Sequence, residues 1–303
     1  MIIDIILIAI AFIGILIGSI TDIQKREVAD WLNFSLIASG VGLRLLHSTV
    51  TGEWMFLIWG LIGLAIAFGI ANLMFYTGQW GGGDAKMIMG LGALFGTYTL
   101  PIANGTPFSF LNPNTPLVFF GLFFIYSMAT GAVFGLFYSV YKAIQNKKHF
   151  AREWKKQIKT KTFIYMRYAI LAMIVLLIIA TFMTPDPSLK ATSMSLAALL
   201  LFGLYAMIFV RTVERGCMID HVLPKDLVEG DWIVKDIKID GKHIVGPKDL
   251  GIHEIQITRL CEAYDLGKIK KIAVKVGMPL VPAFLVGLII TMTIGNLFFA
   301  MIL

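Results

Sequence analysis

The 303 residues are 57% apolar and 15% charged, with a mean hydropathy of +0.80. An ordinary soluble domain carries about 25% charged residues, and one apolar run of about 20 residues spans a bilayer. The composition therefore excludes a soluble globular enzyme, a disordered chain and a disulfide-stapled secreted domain. It leaves an all-α polytopic membrane protein, because the apolar runs are continuous and lack the short alternating segments of a barrel. The net charge of +7 would point to nucleic acid in a soluble protein. Here its placement matters more than its sum, and no nucleic-acid partner is expected.

Eight apolar segments mark eight expected spans: 2–20, 31–50, 54–77, 85–103, 117–141, 163–183, 191–210 and 278–302. The first has Lys25 and Arg26 behind it and no basic residue in front, the reverse of a secretory signal. It reads as an uncleaved span with its N-terminus outside. The second carries Arg44 and His47 near its far end, read as side chains that snorkel to the headgroups.

Lys and Arg alternate in density from one connection to the next. One set of connections, with Lys86, holds 23 of the 26; the other holds only Lys190, and Arg44 and Arg167 lie inside spans. By the positive-inside rule, residues 21–30, 78–84, 142–162 and 211–276 face the cytoplasm and both termini lie outside. The basic, amphipathic stretch 142–162 reads as a topology anchor on anionic headgroups.

The division expected is 1–210 as seven spans, 211–276 as a small α+β cytosolic domain, and 277–303 as the last span. Within 211–276, Trp232–Ile239 and Lys242–Val245 flank Asp240-Gly241, a two-residue hairpin signal. Ile252, Ile255, Leu260 and Ala263 fall at helical spacing, and Ile269–Val276 is extended. Cys217 and Cys261 form no CxxC pair and read as reduced structural thiols. No metal site and no cofactor are expected.

Ionisable groups at membrane boundaries are the places to look for chemistry. Asp84 sits in Trp80-Gly81-Gly82-Gly83-Asp84-Ala85-Lys86. Three glycines permit left-handed backbone and close approach of another chain, which suits a site where a peptide passes a carboxylate. A plain turn with Asp84 as helix N-cap fits those residues equally well. Gly90, Gly92 and Gly96 allow close packing of the following helix. Asp22 sits at the cytoplasmic end of the first span; alone it is an ordinary solvated charge. Asp30 reads as the N-cap of the second span, and Glu27 as a solvated charge.

The pair is more telling than either member. Both carboxylates lie at one depth, and two adjacent carboxylates cannot both ionise cheaply, so they share a proton. One can then take a proton from water while the other gives one to the scissile amide. The sequence has no GxSxG, HExxH or P-loop motif to compete with this chemistry. A cation-coupled transporter using the same aspartates is the alternative. It predicts carboxylates near the middle of spans and broken helices in paired halves, and the spans carry almost no central carboxylates.

Gly81-x-Gly83-Asp84 resembles the GxGD signature of membrane aspartyl proteases. Asp22-x-x-x-Arg26-x-Val28-x-Asp30-Trp31-x-Asn33 resembles the first-aspartate motif of the type IV prepilin peptidase family, in its archaeal prepilin and prearchaellin (preflagellin) branch. Leu223–Gly230 and Gly277–Phe284 resemble the C-terminal part of archaeal members. The resemblance implies an archaeal cell-membrane endopeptidase. It would remove short basic leaders from pilin or archaellin precursors at the cytoplasmic face, with Asp22 and Asp84 catalytic. Gly81, Gly83 and Lys86 would support the loop, and Glu27 and Asp30 would attract the leader. Many bacterial relatives carry a cysteine-rich insert after the first span and N-methylate the product. The connection here is about ten residues long without cysteine, so neither zinc nor methyl transfer is expected. Presenilin-like relatives place the first aspartate in a Tyr-Asp pair within a span. Thr21-Asp22 at a span end departs from that branch.

Overall fold

The computed structural model describes residues 2–97, 116–249 and 251–294. Helices α1 (Ile2–Lys25), α2 (Asp30–Thr51), α3 (Trp54–Tyr76), α4 (Gly82–Phe95), α5 (Val118–Gln145), α6 (Lys147–Gln157), α7 (Lys161–Met183) and α8 (Pro187–Gly216) are followed by strand β1 (Ile219–Val222). Then come β2 (Trp232–Ile233), β3 (Ile237–Ile239), β4 (Lys242–Val245), helix α9 (Glu254–Asp265), β5 (Ile272–Lys275) and α10 (Val281–Ile294). Each of the eight apolar segments falls on a helix; residues 98–103 and 295–302 of the fourth and eighth lie outside the described residues. Five helices, α1, α3, α5, α7 and α8, are long and apolar enough to cross a membrane. Helix α2 is long but more polar, and α4 and the described part of α10 have 14 residues each.

The chain forms two compact units, one of residues 1–135 with 277–303 and one of 136–276. In the first, α4 is the central element. Met87, Ile88, Leu91, Leu94 and Phe95 are fully buried. A buried core joins α1, α2, α3, α4, α10 and the start of α5 through Leu7, Ile15, Leu36, Ala67, Phe123 and Phe284. Glycine brings the backbones together on two faces of α4. A Cβ on Gly90 would meet Leu36 Cβ of α2 at 2.7 Å, and one on Gly92 would meet Ala67 Cβ and Gly63 O of α3 at 2.5 Å. This is the small-residue packing that replaces hydrophobic drive between membrane helices.

Arg44 departs from the snorkelling expected of it. It is fully buried and its guanidinium closes the C-terminal end of α4. Nε donates to Ala93 O at 2.8 Å, Nη2 to Leu94 O at 2.9 Å, and Nη1 to Phe56 O at 3.0 Å and Thr97 Oγ1 at 2.7 Å. The last carbonyls of a helix have no partner within it, and a forked cation supplies several donors at once.

In the second unit, β5 lies between β1 and β2, both antiparallel to it. The hairpin β3–β4 turns on Asp240 (φ 50°) and Gly241 (φ 78°), as its Asp-Gly pair predicts. Trp232–Ile239 is not one strand but two, β2 and β3, which belong to different sheets. Leu227, Ile233, Val245, Ile252, Leu260, Ile272 and Val274 form the core beneath α9. Helix α8 starts on a side-chain cap, Asp186 Oδ1 accepting the Ser188 N–H at 2.8 Å, with Pro187 at its first position. Helix α7 is apolar all round and buries only Phe163 among its described residues, the pattern of a helix solvated by lipid.

Candidate active site

Asp22 occupies the last turn of α1 and is buried, 5% exposed. Helix α1 ends at Lys25 because Arg26 turns left-handed (φ 59°) while its N–H still bonds Asp22 O at 2.9 Å. That is a helix-stop conformation glycine usually takes. Asp22 Oδ2 accepts the Val281 N–H at 3.0 Å, from the first residue of α10. The Arg26 guanidinium also attracts the Asp22 carboxylate, and its Nη1 donates to Gly277 O at 2.7 Å.

Asp84 lies in the first turn of α4 and is half-buried. Its Oδ2 accepts the Gly81 N–H at 3.3 Å, so it closes the helix start from the third position. The N-cap residue itself is Gly81. Asp22 is close enough to Asp84 for the two carboxylates to repel each other. The two aspartates singled out in the sequence thus come together where α1, α4 and α10 meet.

The glycine run does something other than the sequence implied. None of Gly81, Gly82 and Gly83 has positive φ; the left-handed residue is Gly78 (φ 69°). Gly83 is covered, since a Cβ there would meet Val28 Cβ at 3.0 Å. Its close approach is to the α1–α2 connection of the same chain, which sets α4 against α1 and α2. Asn33, fully buried on α2, donates from Nδ2 to Gly83 O at 3.3 Å, while its Oδ1 has no hydrogen-bond partner among the described residues. Trp80 anchors the other end of the loop, with its ring edge-on to Phe124 and Phe284 at 6.4 and 5.9 Å. Trp80 and Asn33 both stand in the quoted motifs, but the sequence assigned neither a supporting role. For Trp80 the signal is a tryptophan directly before a glycine run, because glycines need an anchor to hold a shape.

Lys86 and Asp30 form an ion pair at the edge of the site. Lys86 Nζ lies 2.7 Å from both Asp30 oxygens and 5.7 Å from the centre of the Phe34 ring. Asp30 therefore does not cap α2; Ala29 is the N-cap, without a side-chain bond. Glu27 is exposed on the short α1–α2 connection. Among the described residues no three His, Cys, Asp or Glu side chains converge where a metal ion could bind.

Comparison with known proteins bears on this segment of the chain. Residues 9–140 match the sequence model of the Type IV leader peptidase family, a stretch of less than half of the 303 residues. A preflagellin peptidase of Methanocaldococcus jannaschii is 38% identical over 90 residues, 30% of this chain and 38% of that protein. One from Methanococcus voltae is 39% identical over 94 residues, 31% of this chain and 40% of that protein. One from Methanococcus maripaludis is 35% identical over 122 residues, 38% of this chain and 52% of that protein. The chain thus spans between about two fifths and a half of the curated relatives it matches. No solved structure matches it. The part of the chain that carries Asp22 and Asp84 thus lies within residues 9–140, the stretch that is similar to the type IV leader peptidase family.

Proposed function

We propose that this chain is a membrane aspartic endopeptidase that removes the short basic leader from archaellin or pilin precursors at the cytoplasmic membrane face. The observation that carries the reading is the meeting of Asp22 and Asp84. They come from separate helices and lie close enough to interact, in the segment matched by the leader peptidase family. A pair that shares one proton does both halves of amide hydrolysis. The ionised member takes a proton from water as the water oxygen adds to the scissile carbonyl. The protonated member gives its proton to the carbonyl oxygen. Collapse of the tetrahedral diol returns a proton to the leaving amine, and the C–N bond breaks. No metal or cofactor enters, and no methyl transfer accompanies cleavage.

In this reading α1–α5, α7, α8 and α10 are the eight spans, with residues 211–276 in the cytoplasm and both termini outside. The precursor's apolar helix lies in the bilayer beside the enzyme, and its basic leader stays at the cytoplasmic surface. Glu27 and Asp30 stand at the rim the leader passes. Asp30 is already paired with Lys86, so a basic leader residue would compete with that lysine.

The test uses the purified full-length protein in lipid and a methanogen preflagellin as substrate. Asp22→Asn and Asp84→Asn should each lower cleavage by at least about 10³-fold, as loss of one member of a catalytic unit does, with thermal unfolding unchanged. Cleavage by either variant at a rate near wild type removes the dyad.

A further inference from the structure

We propose that the first turn of α10 positions Asp22, acting through the Val281 backbone N–H. This rests on the reading of Asp22 and Asp84 as the catalytic pair. The donor lies far outside residues 9–140, the segment that matches the family, so the catalytic carboxylate is held by a part of the chain beyond the matched region.

Two contacts fix the geometry. The Val281 N–H to Asp22 Oδ2 bond is 3.0 Å long and buried. Arg26 Nη1 donates to Gly277 O at 2.7 Å, which ties the connection into α10 to the end of α1. Between these ties Pro279 fixes one φ angle, and Pro282 fixes another just beyond Val281. One helical turn before Asp22, Gly18 lets the helices close up. A Cβ there would collide with the Met87 side chain of α4, and would sit 3.3 Å from Val281 Cγ1. Helices α1, α4 and α10 therefore converge at the level of the aspartates.

A carboxylate that accepts from a fixed main-chain N–H keeps one orientation, and the donors at a helix start have no partner within the helix. Held in this way, Asp22 cannot swing away from Asp84 between turnovers. A misplacement of about 1 Å in a reacting group costs on the order of 10²-fold in rate. Val281 N–H is thus a positioning group that acts through Asp22.

Proline at 281 deletes this single donor at a helix position where proline is well tolerated. Alanine keeps the donor and reports the loss of the buried side chain alone. Both variants are assayed as full-length protein in lipid on preflagellin, with kcat and KM measured separately and Asp22→Asn alongside. The expected result is a kcat for Val281→Pro at least tenfold below that of Val281→Ala, with KM values within twofold. Equal kcat values, with Asp22→Asn inactive, overturn the positioning role and leave the catalytic pair standing. Asp22→Asn cutting at the wild-type rate overturns both. Should Val281→Pro lose its thermal unfolding transition, Arg26→Gln is compared with Arg26→Lys. A kcat at least fivefold lower for Arg26→Gln supports the strap, and equality overturns it.

Discussion

Arg44 shows what one residue can carry in this fold. Four of its bonds, at 2.7 to 3.0 Å, end on the last turn of α4, on α3 and on Thr97, and its guanidinium lies 4.5 Å from the Phe56 ring centre. A hydrogen bond from a charged donor contributes about 1.5–3 kcal/mol, and an acceptor left bare in the interior costs more than one never made. Arg44→Met should therefore destabilise the protein by about 3 kcal/mol or more, read by unfolding in mixed detergent micelles. Arg44→Lys should recover only part, because an ammonium cannot reproduce the fork. The site lies at the opposite end of α4, so the cleavage rate per folded molecule should stay near wild type; a selective loss of kcat would contradict this. The sequence marked Arg44 as odd but pointed it at the headgroups, since span position alone does not reveal inward carbonyls. Asp22 and Asp84 were legible as a pair at one depth and through the motifs that hold them, not singly. Asn33 and Val281 stood inside stretches with a family resemblance, but what they do was not legible: the Asn33 bond to the Gly83 carbonyl leaves no local pattern, and Val281 contributes a backbone group that any residue except proline would supply.

At the level of elements, periodicity and apolar length located every long helix, because membrane helices must be both continuous and apolar. Their ends were less visible. Helix α1 ends at a left-handed arginine and α2 starts behind an alanine with no side-chain cap, neither of which has a compositional signal. The β3–β4 hairpin was readable from Asp240-Gly241, whereas β1 and its pairing with β5 were not, because a four-residue strand paired across fifty positions leaves no local pattern. The glycines of α4 were read correctly as packing residues, and the structure assigns each a face. Gly92 is a tightly constrained one to test, since its would-be Cβ meets the Gly63 backbone and the Ala67 side chain at 2.5 Å. Alanine is the better helix former by about 1 kcal/mol. Gly92→Ala should nevertheless destabilise by about 1–3 kcal/mol, as overpacking does, because α3 and α4 must separate. The same detergent unfolding measures it. Any stabilisation would mean that α3 yields easily. Gly42, with open space around it, is the control at which alanine should stabilise slightly.

For the whole molecule, the distribution of basic residues makes a prediction independent of the chemistry. A 23 to 1 division of Lys and Arg between the alternating connections of eight spans predicts an orientation, since translocating a basic connection is strongly disfavoured. The basic helix α6 carries Lys147, Lys148, Arg152, Lys155 and Lys156, and anionic lipid attracts such residues with about 1 kcal/mol each. The catalytic reading needs the ends of α1 and the start of α4 on that same side. Single cysteines introduced into a variant with Cys217 and Cys261 replaced by alanine locate each connection. In intact cells an impermeant maleimide should label positions 52 and 185 and leave 25, 82, 148 and 240 unmodified until the membrane is opened. Positions 25 and 82 are the decisive pair, because they flank Asp22 and Asp84. If one is reached from outside while the other is protected, the two carboxylates belong to opposite faces of the bilayer and cannot share a water. If both are protected together with 148, the charge asymmetry and the active site face the cytoplasm, where a precursor still carrying its basic leader is found.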